Sequence, residues 1–151
     1  MKKVYLAGAI RTDLGDEDFK WRRRFMKAYE GQLLCLVPSD CGVTEANKLR
    51  RFTGSAYMTY RTDLNLVEQA DLVVANLLPM NSGYPSTGTI FELGYARAHS
   101  KLILVVADVR VRQHPFIAFG ADGVFGDFGE LEGYLDQYLE VTAGKGGGPQ
   151  Q

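Results

Sequence analysis

One carboxylate stands out for what surrounds it. Glu92 closes the run Tyr84-Pro-Ser-Thr-Gly-Thr-Ile-Phe-Glu92 and is followed by Leu93-Gly-Tyr-Ala96. The pattern reads as a polar loop leading into a helix whose first turn carries an acid. At such an amino terminus, Ser86, Thr87 and Gly88 offer hydroxyls and unhindered backbone N–H groups to an anionic or polar ligand. A carboxylate facing that place can attack an anomeric carbon, because the departing group leaves an oxocarbenium-like centre and the covalent ester divides one hard step into two. The spacing also has a purely structural reading: Thr89 and Glu92 stand at capping-box separation, with Glu92 satisfying only a backbone donor. A heterocyclic leaving group departs more easily when protonated, so a second acid is wanted. Asp71, opening the apolar stretch Leu72 to Leu77, is the candidate, and an aspartate there can equally serve just to end the preceding helix.

The elements that must position these residues follow from hydrophobic patterning. Val4 to Ala7, Leu33 to Val37, Asp71 to Leu77 and Leu102 to Ala107 are short apolar runs of the kind buried in a parallel sheet. Helical spacing covers Asp16 to Tyr29, Tyr57 to Gln69, Thr89 to His99 and Leu131 to Tyr138, with the basic run Arg22-Arg23-Arg24 expected mostly on a solvated face. Gly123 to Phe125 has the character of a short edge strand. Alternating strands and helices define an α/β fold with a flavodoxin/Rossmann-like doubly wound sheet of about five parallel strands in a single domain. That domain is expected over residues 1–142, followed by a disordered glycine-rich tail at 143–151.

Ligands of such sheets bind at the carboxyl ends of the strands. Three segments qualify: Gly8-Ala9-Ile10-Arg11, the stretch Pro79 to Glu92, and Asp108 to His114. Asn76, Met80 and Asn81 close the third strand where they can face a ligand, although Met80 is also a common core filler. Asp40 to Thr53 is long for a connection and has the character of a binding loop. Tyr57 and Tyr60, just beyond it, either stack on a ligand or pack their helix.

Bulk properties narrow the class. With 17 basic against 18 acidic residues among 151, the chain lacks the basic field that a nucleic-acid polymer requires. A small-molecule partner fits better. Two cysteines, Cys35 and Cys41, are too few for a disulfide framework, and the amino terminus is too short in apolar residues for a signal peptide or membrane span. These features point to a cytoplasmic protein. Histidine and cysteine do not cluster at ligand spacing, so no metal is expected.

Val4-Tyr-Leu-Ala-Gly8, Ala70-Asp-Leu-Val-Val-Ala75 and Gly88-Thr-Ile-Phe-Glu-Leu-Gly-Tyr-Ala96, in that order, resemble the nucleoside 2-deoxyribosyltransferases over about residues 3–108. The same superfamily contains N-hydrolases of 2′-deoxynucleoside 5′-monophosphates. The resemblance implies Glu92 as nucleophile, Tyr5 holding that carboxylate and the sugar, and Asp71 handling the proton on the base. Tyr5 as a packed aromatic at a strand end is the alternative. Gly8 to Arg11 would line the sugar or phosphate side. The resemblance also implies that no cofactor is needed, and that a homo-oligomer completes each site across its interface from the region after the fourth strand, where Arg110, Arg112, Gln113 and His114 lie. His114 is equally readable as a surface loop residue. One departure matters: six positions before the nucleophile the transferases carry an aspartate, whereas here it is Ser86, as in the monophosphate hydrolases. Ala9 stands where those hydrolases have a serine, and the stretch Thr87 to Gly94 is closer to the transferases. The expected activity is therefore transfer of deoxyribose from a nucleoside to another free nucleobase. Hydrolysis of a nucleotide is the alternative, and a non-catalytic nucleotide-binding module is the third reading.

Overall fold

The computed structural model describes residues 1–10, 17–38, 56–78 and 85–144. In chain order these form β1 (Lys2–Gly8), α1 (Glu17–Ala28), β2 (Leu33–Leu36), α2 (Ala56–Gln69), β3 (Leu72–Asn76), α3 (Thr87–Ala98), β4 (Leu102–Val106), α4 (Val109–Arg112), α5 (Pro115–Ala118), β5 (Gly123–Phe125) and α6 (Phe128–Gly144). The strands pair in parallel in the order β2-β1-β3-β4-β5. This is the flavodoxin-like doubly wound arrangement, in which the order reverses beside β1 and opens a crevice at the carboxyl ends of β1 and β3.

Alternation along each strand divides the core in two. Val4 and Leu6 of β1 face α1 and α6, where Trp21, Phe25, Tyr29, Leu131 and Leu135 close one layer. Tyr5 and Ala7 face the other layer with Val67 of α2 and Leu93 and Ala96 of α3. Strands buried on both faces read as continuous apolar runs, which is why their alternation is invisible in the sequence.

Most expected elements are present with boundaries moved by one to three residues, α6 excepted. That helix runs from Phe128 to Gly144, beyond the expected Leu131 to Tyr138 at both ends, with Phe128 buried at its start and Tyr138 and Leu139 packed against the core further along. The tail from 145, and the segment Asp40 to Thr53, lie outside the described residues. The connection from β4 to β5 holds two short helices that the sequence reading does not contain. They are opened by Asp108, which accepts from Val111 N–H at 3.1 Å, and by His114 ahead of Pro115.

The largest correction concerns the basic run. Arg23 and Arg24 are exposed, but Arg22 is buried. The inward stripe of α1 is Asp18, Trp21, Arg22 and Phe25, continued by Tyr29 just beyond its end, at helical spacing, and it carries an arginine into the core.

Candidate active site

The carboxyl end of β1 and Pro38 beyond β2, with α2 and α3, line a cavity of about 430 Å³. Gly8 and Ile10 form one wall, Thr59, Tyr60, Asp63 and Leu64 of α2 another, and Ser86 to Thr89 with Phe91 and Glu92 the third.

Local sequence explains how Glu92 comes to face it. Ser86 is the N-cap of α3, its Oγ accepting from Thr89 N–H at 3.1 Å, while Ile90 N–H donates to Ser86 O at 3.2 Å. The helix therefore begins at Thr87, two residues earlier than expected, and Glu92 falls in its second turn. No acid stands in the first turn. The capping-box reading is thereby overturned: the capping residue is Ser86, and Glu92 is free of that duty. Thr89, Leu93 and Ala96 turn towards the sheet, and Glu92, three residues after Thr89, lies at the margin of that stripe.

What Glu92 meets is Tyr5. The Tyr5 hydroxyl donates to Glu92 Oε2, the side chain being wholly buried in the centre of β1. A buried hydroxyl demands a partner, and here the partner is the carboxylate itself. Burial pushes the Glu92 carboxyl up to about 7, aided by the negative charge of Asp63 and opposed by the Tyr5 hydrogen bond and the positive charge of Arg22. Burial, then the charges of Glu92 and Asp63, hold the Tyr5 phenol well above its ordinary range, so it remains a donor. A partly desolvated carboxylate, oriented by a phenol and open to a cavity, is equipped to act as a nucleophile.

Asp71 is not brought here. It precedes β3, and therefore lies at the amino edge of the sheet, where its Oδ2 accepts from Lys3 N–H at 2.7 Å and its own N–H donates to Lys3 O at 2.8 Å. It is exposed and absent from the cavity wall. The acid that does share the cavity with Glu92 is Asp63 of α2, which the sequence reading did not select. Its signal was present: Thr59, Tyr60 and Asp63 recur at spacing that places them on one helix face, and α2 follows a long polar segment.

The other expected residues divide. Gly8, Ile10, Ser86, Thr87 and Gly88 line the cavity, while Ala9 lies half-buried between two of its neighbours. Asn76 pairs with Gly8 in the sheet register, but its Oδ1 accepts from Leu78 N–H at 3.1 Å, shaping the turn after β3. His114 caps α5, its Nδ1 accepting from Phe116 N–H at 3.3 Å. It is exposed and outside the cavity wall. Arg11, Met80 and Asn81 lie outside the described residues. Tyr60 meets Phe91 edge to face, ring centroids 5.9 Å apart, where both line the cavity.

Fold and site together define a flavodoxin-like α/β protein in which a half-buried carboxylate, held by a phenol, lines a cavity beside the strand-order reversal. The chain belongs to the nucleoside 2-deoxyribosyltransferase family, whose model matches residues 4–135. That family acts on the N-glycosidic bonds of nucleosides or nucleotides. A search of curated protein sequences returned no match. Among solved structures, a 2-deoxyribosyltransferase from Leishmania mexicana is similar at 24% identity and TM-score 0.61, covering 93% of this chain and 98% of its own. A 2-deoxyribosyltransferase from Bacillus psychrosaccharolyticus aligns at 19% identity and TM-score 0.67, over 91% and 95%. A CMP N-glycosidase from Clostridium botulinum aligns at 17% identity and TM-score 0.57, over 91% and 99%. At these identities the likeness is one of fold. Among the described residues, no helix is long and apolar enough to cross a membrane.

Proposed function

We propose that the protein transfers deoxyribose between bases: Glu92 attacks C1′ of a 2′-deoxynucleoside, and the sugar passes through a Glu92 ester to a second free nucleobase. The observation that carries this reading is the Tyr5–Glu92 contact at the edge of the cavity. As a Glu92 oxygen bonds to C1′, the N-glycosidic bond breaks and its electron pair leaves with the base nitrogen. A proton must reach the base, and Asp63 takes that role in place of Asp71, because it stands on the cavity wall. The Tyr5 hydroxyl holds one carboxylate oxygen and leaves the other to attack. A nitrogen of the acceptor base then displaces Glu92 from C1′, returning the carboxylate, and the proton lost from that nitrogen goes back to Asp63. Tyr60 and Phe91 give the base an aromatic edge against which to lie.

A second reading is favoured by the start of α3. Ser86, Thr87 and Gly88 line the cavity, and the first N–H groups of a helix lack intrahelical acceptors and attract anions. A 5′-phosphate fits that chemistry, and water in place of the acceptor base would make the protein an N-glycoside hydrolase of nucleoside 5′-monophosphates. Chromatography of bases and nucleosides decides between the two, using deoxynucleosides and their 5′-monophosphates with and without a second free base. New nucleoside formed only when the acceptor is present supports transfer. Free base released only from monophosphates replaces it by hydrolysis.

Assembly into a homo-oligomer belongs to the same proposal. Val109, Phe116 and Phe119, on the segment between β4 and β5, are exposed, and a partner would cover them. Light scattering on the purified protein tests this, a monomer at all concentrations overturning it.

A further inference from the structure

An arginine inside a protein is costly unless its donors find acceptors, and Arg22 is only 2% exposed. Its Nε donates to Leu6 O at 3.1 Å, its Nη2 to Gly8 O at 2.9 Å and its Nη1 to Asp18 O at 2.7 Å. The guanidinium lies over the Trp21 ring, 4.8 Å from its centroid.

The sheet register explains why β1 needs those donors. Lys3 O accepts from Asp71 N–H on the β3 side, so by alternation the carbonyls of Val4, Leu6 and Gly8 leave β1 on the β2 side. There β2 pairs only as far as Leu36, opposite Tyr5, whereas β3 continues to Asn76, opposite Gly8. Among the described residues, the β2 edge of β1 has no strand partner past Tyr5. Arg22 donates to both of the carbonyls thus exposed.

We propose that Arg22 is a positioning residue: it stands in for the missing length of β2 and fixes the Gly8 to Ile10 wall of the cavity. The inference rests on the reading of Glu92 as nucleophile. Gly8 fits the same design, because a Cβ there would lie 3.0 Å from Trp21 Cζ2 and 3.3 Å from Arg22 Nη2. A side chain at position 8 would therefore press on Trp21 first and on the guanidinium next, and each would have to give by a few tenths of an ångström. Glu92 accepts from Tyr5 of β1 and feels the charges of Asp63 on α2 and Arg22 on α1; Asp63 favours its protonated form, while Tyr5 and Arg22 favour the carboxylate.

The test compares Arg22→Met and Arg22→Lys with the wild type in base release against pH, from about pH 5 to 9. Circular dichroism checks folding. Arg22→Met is expected to raise KM about tenfold, because the cavity wall loses its anchor. Its acidic limb is expected to move up by about 0.5–1 pH unit, because the carboxylate loses a cation. Arg22→Lys keeps the charge but cannot span two carbonyls in a planar fork, so its limb stays near that of the wild type while its KM rises. A folded Arg22→Met with wild-type KM and wild-type limb overturns the proposal. Should Arg22→Met not fold, wild-type KM in Arg22→Lys overturns it. Glu92→Ala run in parallel separates the two readings. Wild-type base release in that variant removes the nucleophile assignment, while KM in Arg22→Lys still reports on the wall.

Discussion

The phenol of Tyr5, in the middle of β1, donates to the Glu92 carboxylate of α3. That bond stabilises the ionised form against the burial and the Asp63 charge that oppose it. Tyr5→Phe removes the stabilising partner and leaves the opposing causes, so Glu92 holds its proton to higher pH. The acidic limb of the pH–rate profile, which reports the free enzyme's essential base in kcat/KM, is expected to move upward relative to that of the wild type. Turnover at neutral pH is expected to fall about 10- to 100-fold. An unmoved limb would separate Tyr5 from Glu92 ionisation.

The same burial is a stability statement. Folding raises the Glu92 carboxyl from 4.5 to about 7, so its contribution is fully present below about pH 4.5 and is lost as pH rises through about 7. Glu92→Gln keeps an acceptor for Tyr5 but carries no charge. The variant is therefore expected to gain about 1–3 kcal/mol over the wild type above pH 7, the difference shrinking towards pH 4. Thermal melts across that range check it, and a difference independent of pH would contradict it.

Two aspartates are distinguished by their ends of the sheet. Asp63→Asn is expected to slow base release by about 10²- to 10⁴-fold with little change in Tm. Asp71→Asn, at the opposite edge on Lys3 N–H, is expected to leave turnover within about twofold and to cost under about 1 kcal/mol in stability. Equal losses of turnover in both variants would contradict the assignment.

The fold and the Tyr5–Glu92 pair were legible in the sequence because they rest on short apolar runs alternating with helical spacing and on motifs in order. The misplacement of Asp71 has a topological cause: an acid that opens a parallel strand is at the sheet's amino edge, away from the carboxyl ends where the cavity lies. Asp63 was hidden in the middle of a helix, where only the direction of its face distinguishes it from a solvated charge. Arg22 was hidden by its neighbours Arg23 and Arg24, and its burial depends on β2 ending at Leu36, a tertiary fact. The helix start was misread because Ser86 and Thr89 are both good caps, and local spacing does not choose between them.

Ser86 carries two duties that one substitution separates. Ser86→Ala removes the cap on α3 and is expected to cost about 1 kcal/mol, seen as a lower denaturation midpoint. If the substrate bears a 5′-phosphate, KM for the monophosphate also rises, while KM for the bare nucleoside does not. Equal KM changes for both substrates would leave Ser86 a cap alone and remove its support for hydrolysis.

The most direct test of the Glu92 ester is base release by Glu92→Ala, followed by chromatography across deoxynucleosides and their 5′-monophosphates. A folded variant whose release falls by about 10³-fold or more, on whichever substrate the wild type cleaves, is the expected result. Release at the wild-type rate would contradict the account, because no covalent path through Glu92 would then be needed.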